Sequence, residues 1–280
     1  MTGHLPRPVR EGRSSREGRV LAWAEYGPAT GRPLLFLPGA GSGRLVSFGS
    51  PELQRRDVRL ISIDRAGIGN SDFDPQKSVE SVADDIRHIS HECNASHAPL
   101  VAHSQAAPFA LAAARKGTCS RLVLVSPIDE VAHPRNRALL PSALSELVLL
   151  VEEDRGGARA KLERLGARRL VSLILDSSDP QIDPVFVDPR FRQDVYRCVE
   201  NGVGDGRGYA QDTLIAMSRW LMPPPTVPVR IAIGDSDDAH AFGHGEGLAS
   251  QWGATRHIVR GAGASLLWSH ATVIIDLAFR

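Results

Sequence analysis

"LVAHSQAAPFALAAA", residues 100–114, decides how this chain is read. A short apolar run meets a serine, and an alanine-rich stretch of high helix propensity follows. A serine on a sharp strand-to-helix turn projects its hydroxyl above a sheet. The helix amino terminus then offers backbone N–H groups and a positive dipole end to a developing oxyanion. The G-x-S-x-G form of this turn needs small flanking residues, because strand and helix approach closely there. Here Ala102 and Ala106 hold the glycine places around His103, Ser104 and Gln105, which makes the turn tighter. Ser104 is the candidate nucleophile; the plainer reading is a serine that caps a helix.

The text on either side supplies the strands and helices such a turn requires. "PLLFL" (33–37), "VRLISID" (58–64) and "RLVLVSP" (121–127) are short continuous apolar runs, as buried strands are, and "VRIAIGDSDD" (229–238) resumes the pattern. "RVLAWAEYG" (19–27) alternates apolar and polar residues and predicts a half-exposed strand ending at Gly27. "SVADDIRHISHEC" (81–93) has helical spacing, with Val82, Ile86 and Ile89 on one face and a serine ahead as cap. Gly117 stops the helix that follows Ser104. This alternation implies a mostly parallel central sheet with helices on both faces. From about Ala132 to Met222 no strong buried strand appears and the text is helical. The expected organisation is a core of residues 1–131 and 223–280, with a helical cap, 132–222, inserted over the carboxyl edge of the sheet.

Composition narrows the function. A chain of 280 residues with 42% hydrophobic and 23% charged residues is globular rather than disordered. The net charge is +1 with both signs interspersed, which argues against a nucleic-acid partner or an anionic membrane surface. No apolar run approaches the ~18 residues that span a bilayer. The amino terminus, "MTGHLPRPVREGRSSREGR", lacks the apolar stretch of a signal peptide. Cys93, Cys119 and Cys198 are odd in number and far apart, which fits a reducing cytoplasm. Nothing calls for an organic cofactor or a metal.

In these features the chain resembles the α/β-hydrolase fold superfamily, nearly end to end and in the manner of its proline-iminopeptidase and esterase-like members. "RPLLFLPGAGSGRL" (32–45) looks like that family's oxyanion loop, with Pro38 in the histidine place and Gly39 kept. The resemblance implies an oxyanion hole made by the N–H groups of Ala40 and Gln105. "IDRAGIGNSD" (63–72) is similar to the family's D-R-P-G-x-G-x-S-D stretch, with Ala66 for proline. "IAIGDSDD" resembles the acid loop and maps the triad carboxylate to Asp237, with Asp235 and Asp238 as register alternatives. "GAGASLLWSH" (261–270) looks like the ending that carries the base, yet the base position holds Ala264. Phe109, Trp220 and Trp268, with Gly39, are candidates to line the substrate pocket.

The missing base matters in magnitude. In a well-studied serine protease, loss of the histidine costs about a millionfold in turnover. Among other histidines, His270 opens the last helix and His103 reads as a packed core residue. His240 and His244, four apart after the acid loop, read as a polar pair opening a surface helix, although either would reach the site by leaning over it. A metal held by Asp237, Asp238, His240 and His244 is disfavoured by glycines at 243, 245 and 247. Three functional readings result. The first is a hydrolase or acyl transferase acting through Ser104 on a partly apolar ester, amide or lactone, including peptide-like substrates, with a relocated base or a substrate group as base. The second is a non-hydrolytic protein on the same fold that binds a ligand or promotes an epimerisation or cyclisation. The third, a dinucleotide-binding oxidoreductase, fails because the third glycine of its fingerprint falls at Arg44.

Overall fold

The computed structural model describes residues 5–176 and 179–280; the first four residues of the amino-terminal stretch, and Ser177 and Ser178, lie outside it. Eight strands form one sheet: β1 (Arg10–Arg16), β2 (Arg19–Tyr26), β3 (Arg32–Leu37), β4 (Val58–Ile63), β5 (Leu100–His103), β6 (Leu122–Val125), β7 (Val229–Gly234) and β8 (Thr255–Val259). Their spatial order is β1-β2-β4-β3-β5-β6-β7-β8. The pairs from β4–β3 to β7–β8 are parallel, whereas β1–β2 and β2–β4 are antiparallel. The continuous apolar runs became the buried central strands because both faces are covered. On one face lie α2 (Val79–Glu92), α3 (Ala107–Arg115) and α10 (Phe242–Trp252). On the other lie α1 (Ser50–Arg55), α11 (Leu266–Ser269) and α12 (Ala271–Phe279).

Two local features depart from expectation. Strand β1 lies in the polar, basic amino-terminal text, where no apolar period announces it. It is the outer arm of a hairpin whose turn residues, Glu17 and Gly18, both have positive φ (54° and 78°). That backbone matches the twist of a two-residue hairpin turn. Strand β2 was expected to be half exposed, but it is buried along most of its length. Its polar position, Glu25, is only 2% exposed and is held by Arg10 and, at 3.6 Å, Arg59. Helix α2 begins with a reciprocal capping box between Ser78 and Ser81.

Between β6 and β7 the described residues contain helices only: α4 (Pro134–Arg137), α5 (Ser142–Glu153), α6 (Arg155–Glu163), α7 (Gly166–Leu175), α8 (Pro189–Val203) and α9 (Arg207–Ala216), with a 3₁₀ turn at Pro184–Val187. These pack on their own apolar cluster, which also takes in Ile68 and Ala264 from the sheet's loops. Leu173, Ile174, Phe186 and Val195 of the helical segment share a cavity wall with residues that follow β3 (Gly39, Ala40), β5 (Ser104), β6 (Ile128) and β7 (Ala239, His240). Crevices at the carboxyl ends of parallel strands are where open α/β sheets bind ligands.

Candidate active site

Strand β5 ends at His103, and Ser104 turns the chain with φ of 50°. For a non-glycine residue this left-handed backbone costs about 1–3 kcal/mol, and such strain persists only where the surroundings impose it. One 3₁₀ turn, Ser104–Ala106, then leads into α3. The flanking Ala102 and Ala106 are wholly buried, so larger side chains there would strike packed neighbours. The strained turn sets Ser104 in the wall of a cavity of about 190 Å³.

An imidazole stands where the sequence reading left none. His240 Nε2 lies 3.2 Å from Ser104 Oγ, and Nδ1 lies 2.9 and 3.0 Å from the two Asp237 carboxylate oxygens. This corrects the expectation of a hydroxyl and a carboxylate with no base between them, and the reading of His240 as part of a surface helix. The cause is local. The loop after β7 folds back as the Ala239 N–H donates to Asp237 Oδ1 (3.2 Å), and the Ala241 N–H donates to Pro127 O (3.0 Å), tying the loop to the end of β6. A histidine three residues after the acid is thus carried over it. The helix α10 starts only beyond, through three left-handed residues, Gly243, His244 and Gly245. His244 leaves the cavity wall as a result, and the paired-face reading of the two histidines does not hold.

Electrostatics define the proton positions. Burial pushes the Asp237 carboxyl up, but the His240 imidazole and the Ala239 N–H outweigh it and hold the group below the usual carboxylate range. An ionised carboxylate only accepts, so His240 Nδ1 carries the proton and Nε2 is left to accept from the Ser104 hydroxyl. The register alternatives fall away: Asp235 accepts from the Gly261 N–H (2.9 Å), and Asp238 is exposed. Among the described residues no group of three or more His, Cys, Asp or Glu is arranged to hold a metal ion. Asp64, the acid of the dinucleotide reading, is buried and engaged by the N–H groups of Arg44 and Asn70 and by the Arg44 side chain.

The remaining sequence candidates divide. Gly39 abuts Ser104 so closely that a Cβ there would lie 3.3 Å from Ser104 Cβ, and Ala40 lines the cavity beside it. Gln105 follows Ser104, and its amide donates to Thr213 Oγ1 on α9 (3.1 Å). Ala264 and Trp268 are on the cavity wall with Val46, Ile128, Phe186 and Val195, the last two from the helical segment. Phe109 and Trp220 are not. Phe109 is 0% exposed inside the sheet–helix core, and Trp220 packs on Trp252, their ring centroids 6.4 Å apart. His270 bonds Ser269 Oγ through Nδ1 (2.9 Å) and does not border the cavity. His103 is buried, as a packed histidine would be, but its ring borders the cavity edge-on to Trp268. Burial, reinforced by nearby His240, pushes its pKa down to about 3.

One residue went unnoticed in the sequence. Asp183, 1% exposed, accepts the N–H groups of Ala264 (Oδ2, 3.0 Å) and Ser265 (Oδ1, 2.9 Å). A carboxylate from the helical segment therefore pins the loop that resembles the base-bearing one. The sequence offers no signal for it beyond an aspartate among several.

Fold and sequence together identify the family. The model of the alpha/beta hydrolase fold matches residues 32–271, and the chain belongs to that family. Among solved structures, it is similar to a hydrolase from Pseudomonas aeruginosa PA01, with TM-score 0.69 and 16% identity over 97% of this chain and 99% of the other. It is likewise similar to the enol-lactonase from Burkholderia xenovorans LB400 (TM-score 0.69, 16% identity, 96% and 100% covered). A thermophilic esterase from Thermogutta terrifontis gives TM-score 0.67 and 18% identity, with 96% and 97% covered. No curated protein matches the chain by sequence. No described helix is long and apolar enough to cross a membrane.

Proposed function

We propose that this protein is a serine hydrolase whose general base is His240 rather than a residue at position 264. Its substrate would be a small, mostly apolar carboxylic ester or lactone. The observation that carries the reading is the bridge from Ser104 through His240 to Asp237. In this scheme His240 Nε2 takes the Ser104 proton as Oγ attacks the carbonyl carbon. Asp237 fixes the tautomer and stabilises the imidazolium. The N–H groups of Ala40 and Gln105 receive the oxyanion. Collapse of the tetrahedral intermediate expels the alkoxide, which takes the proton from His240, and water repeats the sequence on the acyl-enzyme.

Size and lining support the substrate class. A cavity of about 190 Å³ is smaller than the ~300–1,000 Å³ of sites for drug-sized ligands, which suits a small substrate. Its wall is largely aliphatic and aromatic, with Phe186 and Val195 supplied by the proposed cap, residues 132–222. Esterase and lactonase chemistry among the structural neighbours agrees with an ester or lactone. The non-hydrolytic alternative loses the observation that motivated it, an absent base.

Treatment with a fluorophosphonate, read by mass spectrometry, tests the proposal. Wild type is expected to carry the label on Ser104; Ser104→Ala takes none, and His240→Ala is labelled at least a hundredfold more slowly. A wild-type chain that stays unlabelled contradicts the reading.

A further inference from the structure

Gly39 and Ala40 form the peptide that the proposed hydrolase uses as half of its oxyanion hole, and a glycine beside a catalytic peptide is free to rotate. With no Cβ, Gly39 populates both signs of φ readily, so neither the 38–39 nor the 39–40 peptide plane is fixed by local sterics. Hydrogen bonds must hold them. Gly39 O accepts the Ser42 N–H at 3.3 Å, a long bond, and the firmer hold is Arg65: with a wholly buried side chain, it donates from Nη1 to Pro38 O (2.5 Å) and from Nη2 to Gly39 O (3.0 Å). Its Nε donates to Asp212 Oδ2 on α9 (2.8 Å). Asp212 is also wholly buried, and its second oxygen is paired with the buried Lys77, whose Nζ in turn donates to Ala66 O (2.6 Å).

We infer that Arg65, anchored through Asp212 to helix α9, is the positioning residue that aims the Ala40 N–H at the oxyanion; this rests on the serine-hydrolase reading above. The argument is peptide geometry. In a planar trans peptide, C=O and N–H point in opposite directions. A guanidinium gripping Gly39 O from one side therefore directs the Ala40 N–H to the other, where Ala40 and Ser104 share the cavity. Two adjacent carbonyls held by one rigid fork leave neither plane free to flip. A buried guanidinium is expensive unless paired, and here the pairing comes from the helical segment. The helical segment thus reaches the Pro38 and Gly39 carbonyls through a buried ion pair, beside the packing of Leu170 and Val203 against Gly41.

The test is Arg65→Lys, which keeps a charge for Asp212 but loses the two-carbonyl fork. Removing one oxyanion donor costs about 10²–10³ in kcat, and misaiming one costs a part of that. Expected for a folded Arg65→Lys variant is a kcat for p-nitrophenyl acetate at least thirtyfold below wild type, with KM within threefold. The affinity for a methyl trifluoromethyl ketone, whose hemiketal oxyanion occupies the hole, is expected to weaken in step with kcat. Should Arg65→Lys yield no folded protein, Asp212→Asn loosens the anchor while keeping the fork, and at least a fivefold loss of the same kind is expected. A folded variant with kcat and ketone affinity within threefold of wild type overturns the inference and leaves the hydrolase reading intact. A wild type without turnover or Ser104 labelling overturns the hydrolase reading itself.

Discussion

His103 shows what burial does to a single ring beside Ser104. Its pKa of about 3, against an ordinary value of 6.5, keeps it neutral while the unfolded chain binds a proton. Between those values the unfolded state holds more protons than the folded one, so stability rises with pH and is lost as pH falls below about 6.5. The slope is about 1.4 kcal/mol per pH unit. In urea unfolding, wild type is expected to lose about 2 kcal/mol more than His103→Gln between pH 6.5 and 4.5; equal losses would mean that the ring is not buried and neutral. Position 264 carries a second expectation. With His240 already on Ser104, Ala264→His fills cavity space and displaces nothing useful, so ester turnover is expected to stay level or fall; a tenfold gain would show that His240 is not the working base. At this scale Ser104 and Asp237 were legible as candidates, because a turn of small residues and an acid loop are local patterns, and the structure brings the two together through His240. His240 was not, because its direction is set by the bond from Ala241 to Pro127, more than a hundred residues away in the chain.

Among the elements, the two ends of the helical segment meet at one side chain. Glu130, 0% exposed and just after β6, accepts from Arg219 Nε (2.7 Å), the Trp220 N–H (2.9 Å) and Gln251 Nε2 (2.5 Å). It ties the entry of the segment to its exit. Glu130→Ala leaves the buried Trp220 N–H without a partner, a loss of about 1–3 kcal/mol. Limited proteolysis is expected to open new cleavage sites within residues 132–222 while the sheet core persists, and an unchanged digestion pattern would remove Glu130 from this role. The helices of this segment were readable from their apolar spacing, and the central strands from continuous apolar runs. Strand β1 was unreadable, since an edge strand of charged residues needs only a hairpin turn and a neighbour to pair with. The burial of β2 was misjudged for a related reason: Glu25 in an alternating pattern looks solvent-facing until Arg10 and Arg59 are brought to it.

Across the whole molecule, the proposed relocation of the base follows from topology. Strands β5, β6, β7 and β8 are parallel neighbours, so their carboxyl ends open on one edge of the sheet. The loop after β7 and the loop after β8 both border the cavity that holds Ser104. A base from either loop meets the same hydroxyl. In the proposed site the β7 loop contributes both acid and base, and the β8 loop is pinned by Asp183 instead. Turnover of p-nitrophenyl acetate by His240→Ala, with and without added imidazole, tests this most directly. Activity is expected to fall by at least a thousandfold and to recover with imidazole, in a variant that retains Ser104 and Asp237. A His240→Ala protein that hydrolyses the ester within tenfold of wild type, with no response to imidazole, would contradict the account.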